Sequence, residues 1–182
     1  MASTSWIFGY GSLIWRPEFS FAERRVVKLR GWARRFWQAS PDHRGIPAAP
    51  GRVVTLRRRP GGVCWGMAYR LQGDSGERVL AQLDYREKAG YERSEDWVCC
   101  ADRQRIRAHF YVAPPGNPDD LGPAPLVEIA RQVCTAVGPS GTNVDYVLRL
   151  NQALVGMGVV DSHVAGLARM VSRALNIADP AL

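Results

Sequence analysis

Residues Ile7-Phe8-Gly9-Tyr10-Gly11-Ser12-Leu13-Ile14 form an apolar, strand-like run that breaks at once into two glycines and a serine. Glycine has no Cβ, so the backbone there can approach a ligand closely, and N–H groups freed by a turn suit an anionic group. The run marks a candidate small-molecule site, although an ordinary hairpin turn has the same local pattern. Far along the chain, Leu83-Asp84-Tyr85-Arg86-Glu87-Lys88-Ala89-Gly90-Tyr91 sets Glu87 between two cations and close to two tyrosines. A carboxylate in that company can be tuned for general acid/base work; a solvated charged turn reads the same way in isolation. Arg44 and Arg52 carry guanidinium forks that match a substrate carboxylate, or equally a loop or sheet that needs bracing. Tyr91 and Tyr146 can lend hydroxyls to a pocket, or simply pack their rings near helix ends.

Other chemistries fail on spacing. The glycine run starts like a dinucleotide fingerprint, but Ile14 stands where the third glycine belongs and no βαβ unit follows. There is no Gly-Lys-Ser/Thr phosphate loop, and Ser12 lies in Gly-x-Gly-Ser, not in the G-x-S-x-G elbow of hydrolases. His43, His109 and His163 lack helical H-x-x-x-H spacing, so no metal centre is expected. Cys64, Cys99, Cys100 and Cys134 contain no C-x-x-C pair and read as reduced thiols.

The elements that must hold these residues come as strands first and helices later. Trp6–Phe8, Val26–Leu29, Arg34–Gln38, Val53–Leu56 and Val63–Leu71 carry β-branched or aromatic residues. Turn formers separate them, among them Pro41-Asp42, Pro50-Gly51 and Pro60-Gly61-Gly62. Short strands at this spacing suggest a barrel or a strongly curved sheet. A helix follows, capped by Asp74 with Glu77, presenting Val79, Leu80 and Leu83, and ending by Gly90. After a strand at Ile106–Val112 and a loop rich in proline and glycine at 114–125, the period changes. Leu126, Ile129, Ala130, Val133, Cys134 and Val137 form one helical stripe, stopped by Gly138-Pro139. Thr142 and Asp145 resemble a capping box for a helix carrying Val144, Val147, Leu148 and Leu154, and a last helix runs from about Ser162 to Leu175. Without regular βαβ alternation, the class is α+β.

With 182 residues and 46% hydrophobic composition, the chain can bury a core of its own, and one domain over 1–182 is expected. The net charge of +7 admits nucleic acid, a membrane surface or acidic metabolites as partners. Met1-Ala2-Ser3-Thr4-Ser5 has no basic n-region, and no apolar run reaches the roughly 18 residues of a membrane span. A cytoplasmic protein with no membrane partner is the simplest expectation.

Taken together, several motifs resemble the ChaC family of γ-glutamylcyclotransferases. They are Phe8-Gly9-Tyr10-Gly11-Ser12-Leu13-Ile14-Trp15, Arg35-Phe36-Trp37-Gln38, Asp42-His43-Arg44-Gly45, Pro50-Gly51-Arg52-Val53-Val54-Thr55, Trp65-Gly66 with Ala68-Tyr69-Arg70-Leu71, and Arg86-Glu87-Lys88 with Gly90-Tyr91. Asn117-Pro118, Leu121-Gly122-Pro123-Ala124-Pro125-Leu126, Gly138-Pro139-Ser140-Gly141 with Asn143, and Asp161 with His163 continue the match in the same order. The resemblance implies a single-domain γ-glutamylcyclotransferase-like fold, a small mixed β-barrel flanked by helices. It implies an enzyme that releases 5-oxoproline and cysteinylglycine from glutathione with no metal or other cofactor. By the same carry-over, Glu87 takes the position of the catalytic glutamate and Ile7 through Ser12 that of the substrate-binding loop.

In a γ-glutamyl compound the substrate's own α-amine attacks its γ-carbonyl, so the protein must fold the substrate and move protons rather than supply a nucleophile. Ser12 is accordingly not needed as one. Backbone N–H groups of Gly11, Ser12 or Leu13 can meet the oxyanion or the α-carboxylate, while Arg44 and Tyr91 are further candidate substrate contacts. His163 reads as structural. Ala89, where relatives carry a second glycine, and the pair Cys99-Cys100 depart from the family pattern and bear on substrate preference. Two alternatives stand beside this reading. One is a cyclotransferase for other γ-glutamyl peptides or amines. The other is a nucleic-acid-binding module built on Arg24, Arg25, Lys28, Arg30, Arg34, Arg35 and Arg57 to Arg59 with Trp32, Phe36 and Trp37.

Overall fold

β-Branched and aromatic residues dominate the first half of the chain and draw its backbone into strands longer than their local spacing suggests. In a computed structural model describing residues 5–72, 76–86 and 90–176, β1 is Trp6–Gly9, β2 Phe21–Ser40 and β3 Gly51–Leu71. The segments Val26–Leu29 and Arg34–Gln38 are thus one strand, as are Val53–Leu56 and Val63–Leu71. Gly31 (φ 78°) and Gly61 (φ 71°) explain the difference. Each strand takes its left-handed residue at a glycine, which has no Cβ to clash, and continues past it. Helix α1, Gly76–Arg86, buries Gly76, Val79, Leu80 and Leu83 on one face. Its expected cap, Asp74, lies outside the described residues. Strand β4, Glu92–Cys100, and strand β5, Arg105–Val112, complete the set. Strand β4 has strand formers only near its end, at Trp97 and Val98, and most of its length is charged or polar.

The five strands close into a barrel in the order β1-β3-β2-β4-β5. β1 lies antiparallel to β3, with Phe8 opposite Ala68, and parallel to β5, with Ile7 opposite His109. β4 runs antiparallel to both β5 and β2. Packing resolves the chain into two compact units, Met1–Ala33 with Leu56–Pro118 and Arg34–Thr55 with Asp119–Leu182. In the first unit the inward positions alternate as a half-buried strand requires, so Ile106, Ala108 and Phe110 are buried while Arg105 and Arg107 are exposed. Phe110 packs edge-on against Phe8 and Trp32.

The second unit holds α2 (Leu126–Thr135), the short pair β6 (Val137–Gly138) and β7 (Gly141–Thr142), α3 (Asn143–Gly156) and α4 (Ser162–Ala174). The stripe of α2 stops short of Val137, which is exposed and paired with Thr142 in the β6–β7 hairpin. Gly138 explains the early stop: a Cβ there would sit 2.3 Å from the His43 carbonyl oxygen, so the chain must turn away from helical geometry at this close approach. Thr142 caps α3 by accepting the Asp145 N–H at 3.1 Å. The Asp161 carboxylate caps α4, accepting from His163 and Val164.

Ser172 of α4 is fully buried and its hydroxyl has no hydrogen-bond partner. A buried hydroxyl left unpaired costs about 1–3 kcal/mol. The Ser172→Ala protein is therefore expected to be more stable than wild type by about 1 kcal/mol in urea unfolding, and a destabilised variant would show that the hydroxyl is satisfied in solution.

Candidate active site

The glycine run leaves the barrel at the end of β1. Ile7 and Phe8 point their side chains into the core, where Ile7 packs with Leu71, Val79, Leu80, Leu83 and Tyr111. What they can offer a ligand is backbone. A Cβ on Gly9 would lie 2.6 Å from Cβ of Leu13, so the chain doubles back directly over this glycine. Gly66 meets the same tightness from β3: a Cβ there would approach the Gly9 carbonyl oxygen to 2.3 Å. After Gly11 the backbone makes a single 3-10 turn, Ser12–Ile14, with Ile14 N–H donating to the Gly11 carbonyl at 3.0 Å. The opening N–H groups of such a turn, on Ser12 and Leu13, have no acceptor inside it.

Two tyrosines fix this turn. The Tyr69 hydroxyl donates to the Leu13 carbonyl at 2.6 Å, with the Ile14 carbonyl at 3.3 Å. Burial pushes that phenol up to about 12, the charge of Arg24 opposing, so it stays protonated and donating. The Tyr10 hydroxyl donates to the backbone carbonyl of Tyr111 at 2.6 Å. Tyr91 is half-buried against the cluster that holds Ile7 and Leu13. Glycine run, Tyr91 and the last turn of α1 therefore share one apolar neighbourhood. Glu87, next in sequence after Arg86, lies outside the described residues.

Arg44 and Arg52 belong to the second unit and are engaged there. Arg44 donates to the Thr142 carbonyl at 3.1 Å and to Asp145 at 3.3 Å, and lies over the Tyr146 ring. Arg52 donates to Gln132 at 2.6 Å and to the Phe36 carbonyl at 3.1 Å. Burial lowers its pKa, against the raising influence of Glu128. Of the two roles open to these arginines, bracing is the one their hydrogen bonds serve. The basic cluster is divided in the same way. Trp32 and Phe36 are buried, and the Arg34 guanidinium is fully enclosed in an ion pair with Asp161 at 2.7 Å.

Among the described residues no cluster of His, Cys, Asp and Glu is arranged to hold a metal ion, and no helix is long and apolar enough to cross a membrane. All four cysteines are free thiols. A family model described as ChaC-like protein matches residues 5–174.

The chain belongs to the ChaC family. Human glutathione-specific gamma-glutamylcyclotransferase 1 is 44% identical to it over 176 residues, covering 93% of this chain and 79% of the human protein. Gamma-glutamylcyclotransferase 2-3 of Arabidopsis thaliana is 41% identical, over 94% and 90% of the two chains. The crystal structure of a yeast γ-glutamyl cyclotransferase specific to glutathione superposes with a TM-score of 0.88 at 28% identity, covering 94% of this chain and 96% of the yeast one. The barrel with helices is the γ-glutamylcyclotransferase fold, as the resemblance implied.

Tyr69 lies in the Ala68-Tyr69-Arg70-Leu71 motif, whereas Tyr111 and Asp84, which bond to each other at 2.7 Å, lie in none of the motifs and were missed. Alternation alone does not mark Tyr111, which shares the face of Arg105 and Arg107 on β5 and is buried there against Val79, Leu80 and Leu83 of α1. Asn143 also bonds far along the chain: its amide accepts the Arg52 N–H at 2.6 Å and donates to the Arg52 carbonyl at 2.8 Å, as a neighbouring strand would.

His163 closes the second unit's polar cluster. Its Nε2 accepts the Phe36 N–H at 3.1 Å, which requires an unprotonated Nε2. Burial first, then the charges of Arg35 and Arg34, push its pKa down to about 4, with Asp161 opposing. The unfolded chain thus binds more protons than the folded one between about 6.5 and 4. The stabilising contribution is full above about 6.5 and is lost as pH falls toward 4, by about 2–3 kcal/mol. Urea unfolding at stepped pH should show wild type losing that much more over this window than His163→Gln; parallel profiles would show that the imidazole does not titrate in this way.

Proposed function

We propose that this chain cleaves glutathione by internal cyclisation, releasing 5-oxoproline and cysteinylglycine. The observation that carries the reading is the 44% identity to human glutathione-specific gamma-glutamylcyclotransferase 1 across 93% of the chain. The geometry of the first unit is consistent with what the reaction needs. A turn backed by Gly9 and fastened by Tyr69 opens on the Ser12 and Leu13 N–H groups, which find no acceptor within the turn itself. Such donors suit the α-carboxylate of the γ-glutamyl group or the oxyanion that forms at its γ-carbonyl.

In the reaction the α-amine attacks the γ-carbonyl, a C–N bond closes the five-membered lactam, and the amide bond to cysteine breaks. Holding both groups within one bound molecule supplies the proximity that makes intramolecular attack fast, with effective molarities on the order of 10⁵ M or more. The α-ammonium must first give up a proton, and the departing amine must gain one. We assign both transfers to Glu87, base first and acid second. Its support is the family position and its place directly after Arg86, the last residue of α1. Substrate contact by Arg44 has less behind it, since Thr142, Asp145 and Tyr146 already engage that guanidinium.

The name of the Arabidopsis relative specifies γ-glutamylcyclotransferase without glutathione, which favours testing other γ-glutamyl peptides as a second reading. Purified protein without added metal or nucleotide should form 5-oxoproline from glutathione, followed by chromatography. Glu87→Gln should melt with wild type and lose at least about 10²-fold in kcat. Normal turnover by that variant would refute the glutamate assignment, whereas turnover of γ-glutamyl dipeptides but not glutathione would refute only the substrate.

A further inference from the structure

Tyr111 of β5 is 6% exposed and bonded through both its backbone and its side chain. Its carbonyl accepts the Tyr10 hydroxyl at 2.6 Å, and its own hydroxyl donates to Asp84 Oδ1 at 2.7 Å, with the Leu80 carbonyl at 3.3 Å. Tyr10 sits inside the glycine run, and Leu80 and Asp84 lie one turn apart on α1, whose last residue is Arg86. Asp84 is also paired with Arg93 of β4 at 3.1 Å, so its carboxylate fastens the last turn of α1 to two strands of the barrel. Arg86 is tied down separately by Glu18 at 2.7 Å.

The geometry points to Tyr111 as a positioning residue that sets the glycine turn and the end of α1 in register with each other. The inference rests on the reading of Glu87 as the proton shuttle and adds what fastens the helix that precedes it. A rigid β5 holds the loop through a main-chain carbonyl and the helix through a phenol. The hydroxyl–carboxylate bond is charge-assisted and so among the stronger fastenings available. Apolar packing of Val79, Leu80 and Leu83 keeps α1 on the barrel, but such packing is non-directional. Fixing the rotation of the last turn takes a directional bond at that turn, and Asp84 supplies it. A displacement near 1 Å at a reacting group costs on the order of 10²-fold in rate, so a fastening three residues before the shuttle has a kinetic consequence.

The test is steady-state kinetics on glutathione with Tyr111→Phe, Asp84→Ala, their double variant and Tyr10→Phe, beside Glu87→Gln. Tyr111→Phe keeps the ring, and Asp84 is exposed, so both variants should melt near wild type. Each should lose about tenfold in kcat with KM within about twofold, and the double variant should be no slower than the worse single one. Tyr10→Phe, which frees the loop and not the helix, should act on KM instead. If Tyr111→Phe fails to fold, a tenfold kcat loss in folded Asp84→Ala carries the inference and a wild-type kcat overturns it. Wild-type kcat in both single variants while Glu87→Gln is inert overturns the positioning role and leaves the shuttle standing. Normal turnover by Glu87→Gln sinks the shuttle, and the kinetic reason for fastening α1 goes with it.

Discussion

Everything in the first unit depends on one short strand being held on both edges. β1 has four residues, yet it closes the barrel, antiparallel to β3 along one side and parallel to β5 at Ile7–His109 along the other. A strand that short contributes few ladder bonds, so its place is secured by burial: Ile7 and Phe8 are almost wholly enclosed. Removing side chains of that size from water is worth about 1.5–3 kcal/mol each. The closeness of β1 and β3 then requires Gly66, since any side chain there would collide with the Gly9 carbonyl. Barrel closure and the glycine turn are coupled, because the residues that seal the barrel also launch the turn.

Buried tyrosine hydroxyls turn that closure into a precise loop. A phenol in a core must find a partner or leave a costly orphan. Tyr69 and Tyr10 satisfy themselves on backbone carbonyls of the turn and of β5, and each bond removes freedom from the loop. The second unit uses a different device for the same end. There buried guanidiniums serve, with Arg34 against Asp161, Arg44 against Asp145, and Arg52 on the Gln132 amide oxygen and the Phe36 carbonyl. Leaving one partner of such a pair alone would strand a buried charge, so the arrangement is specific even where its net stabilisation is small.

The class α+β, the barrel and the helical stripe of Ile129, Ala130 and Val133 were legible because they follow from periodicity, a property of residues close in sequence. Strand lengths were less so. Gly31 and Pro60-Gly61-Gly62 carry the composition of turns, and only pairing with neighbouring strands decides that the chain goes straight on. The overreach at Val137 has the same origin: its spacing fits the stripe of α2, but Val137 pairs with Thr142 and Gly138 packs closely on the His43 carbonyl. The glycine run was legible as a tight turn because glycine is chosen for what its backbone does. Tyr111, Asp84 and Asn143 act through partners far away in the chain, and nothing in their own neighbourhoods records those bonds.

The ion pairs at the end of α1 show how sequence adjacency can mislead. Arg86-Glu87-Lys88 reads in sequence as a run of charges that answer one another. Arg86, however, is already matched by Glu18, and the next acidic residue up the helix, Asp84, is matched by Arg93. Glu18 also pairs with Arg16 at 2.8 Å, so one carboxylate joins two guanidiniums, and it stands 68 residues from Arg86 in the chain. A run of neighbouring charges therefore does not record which distant carboxylate the fold brings to it.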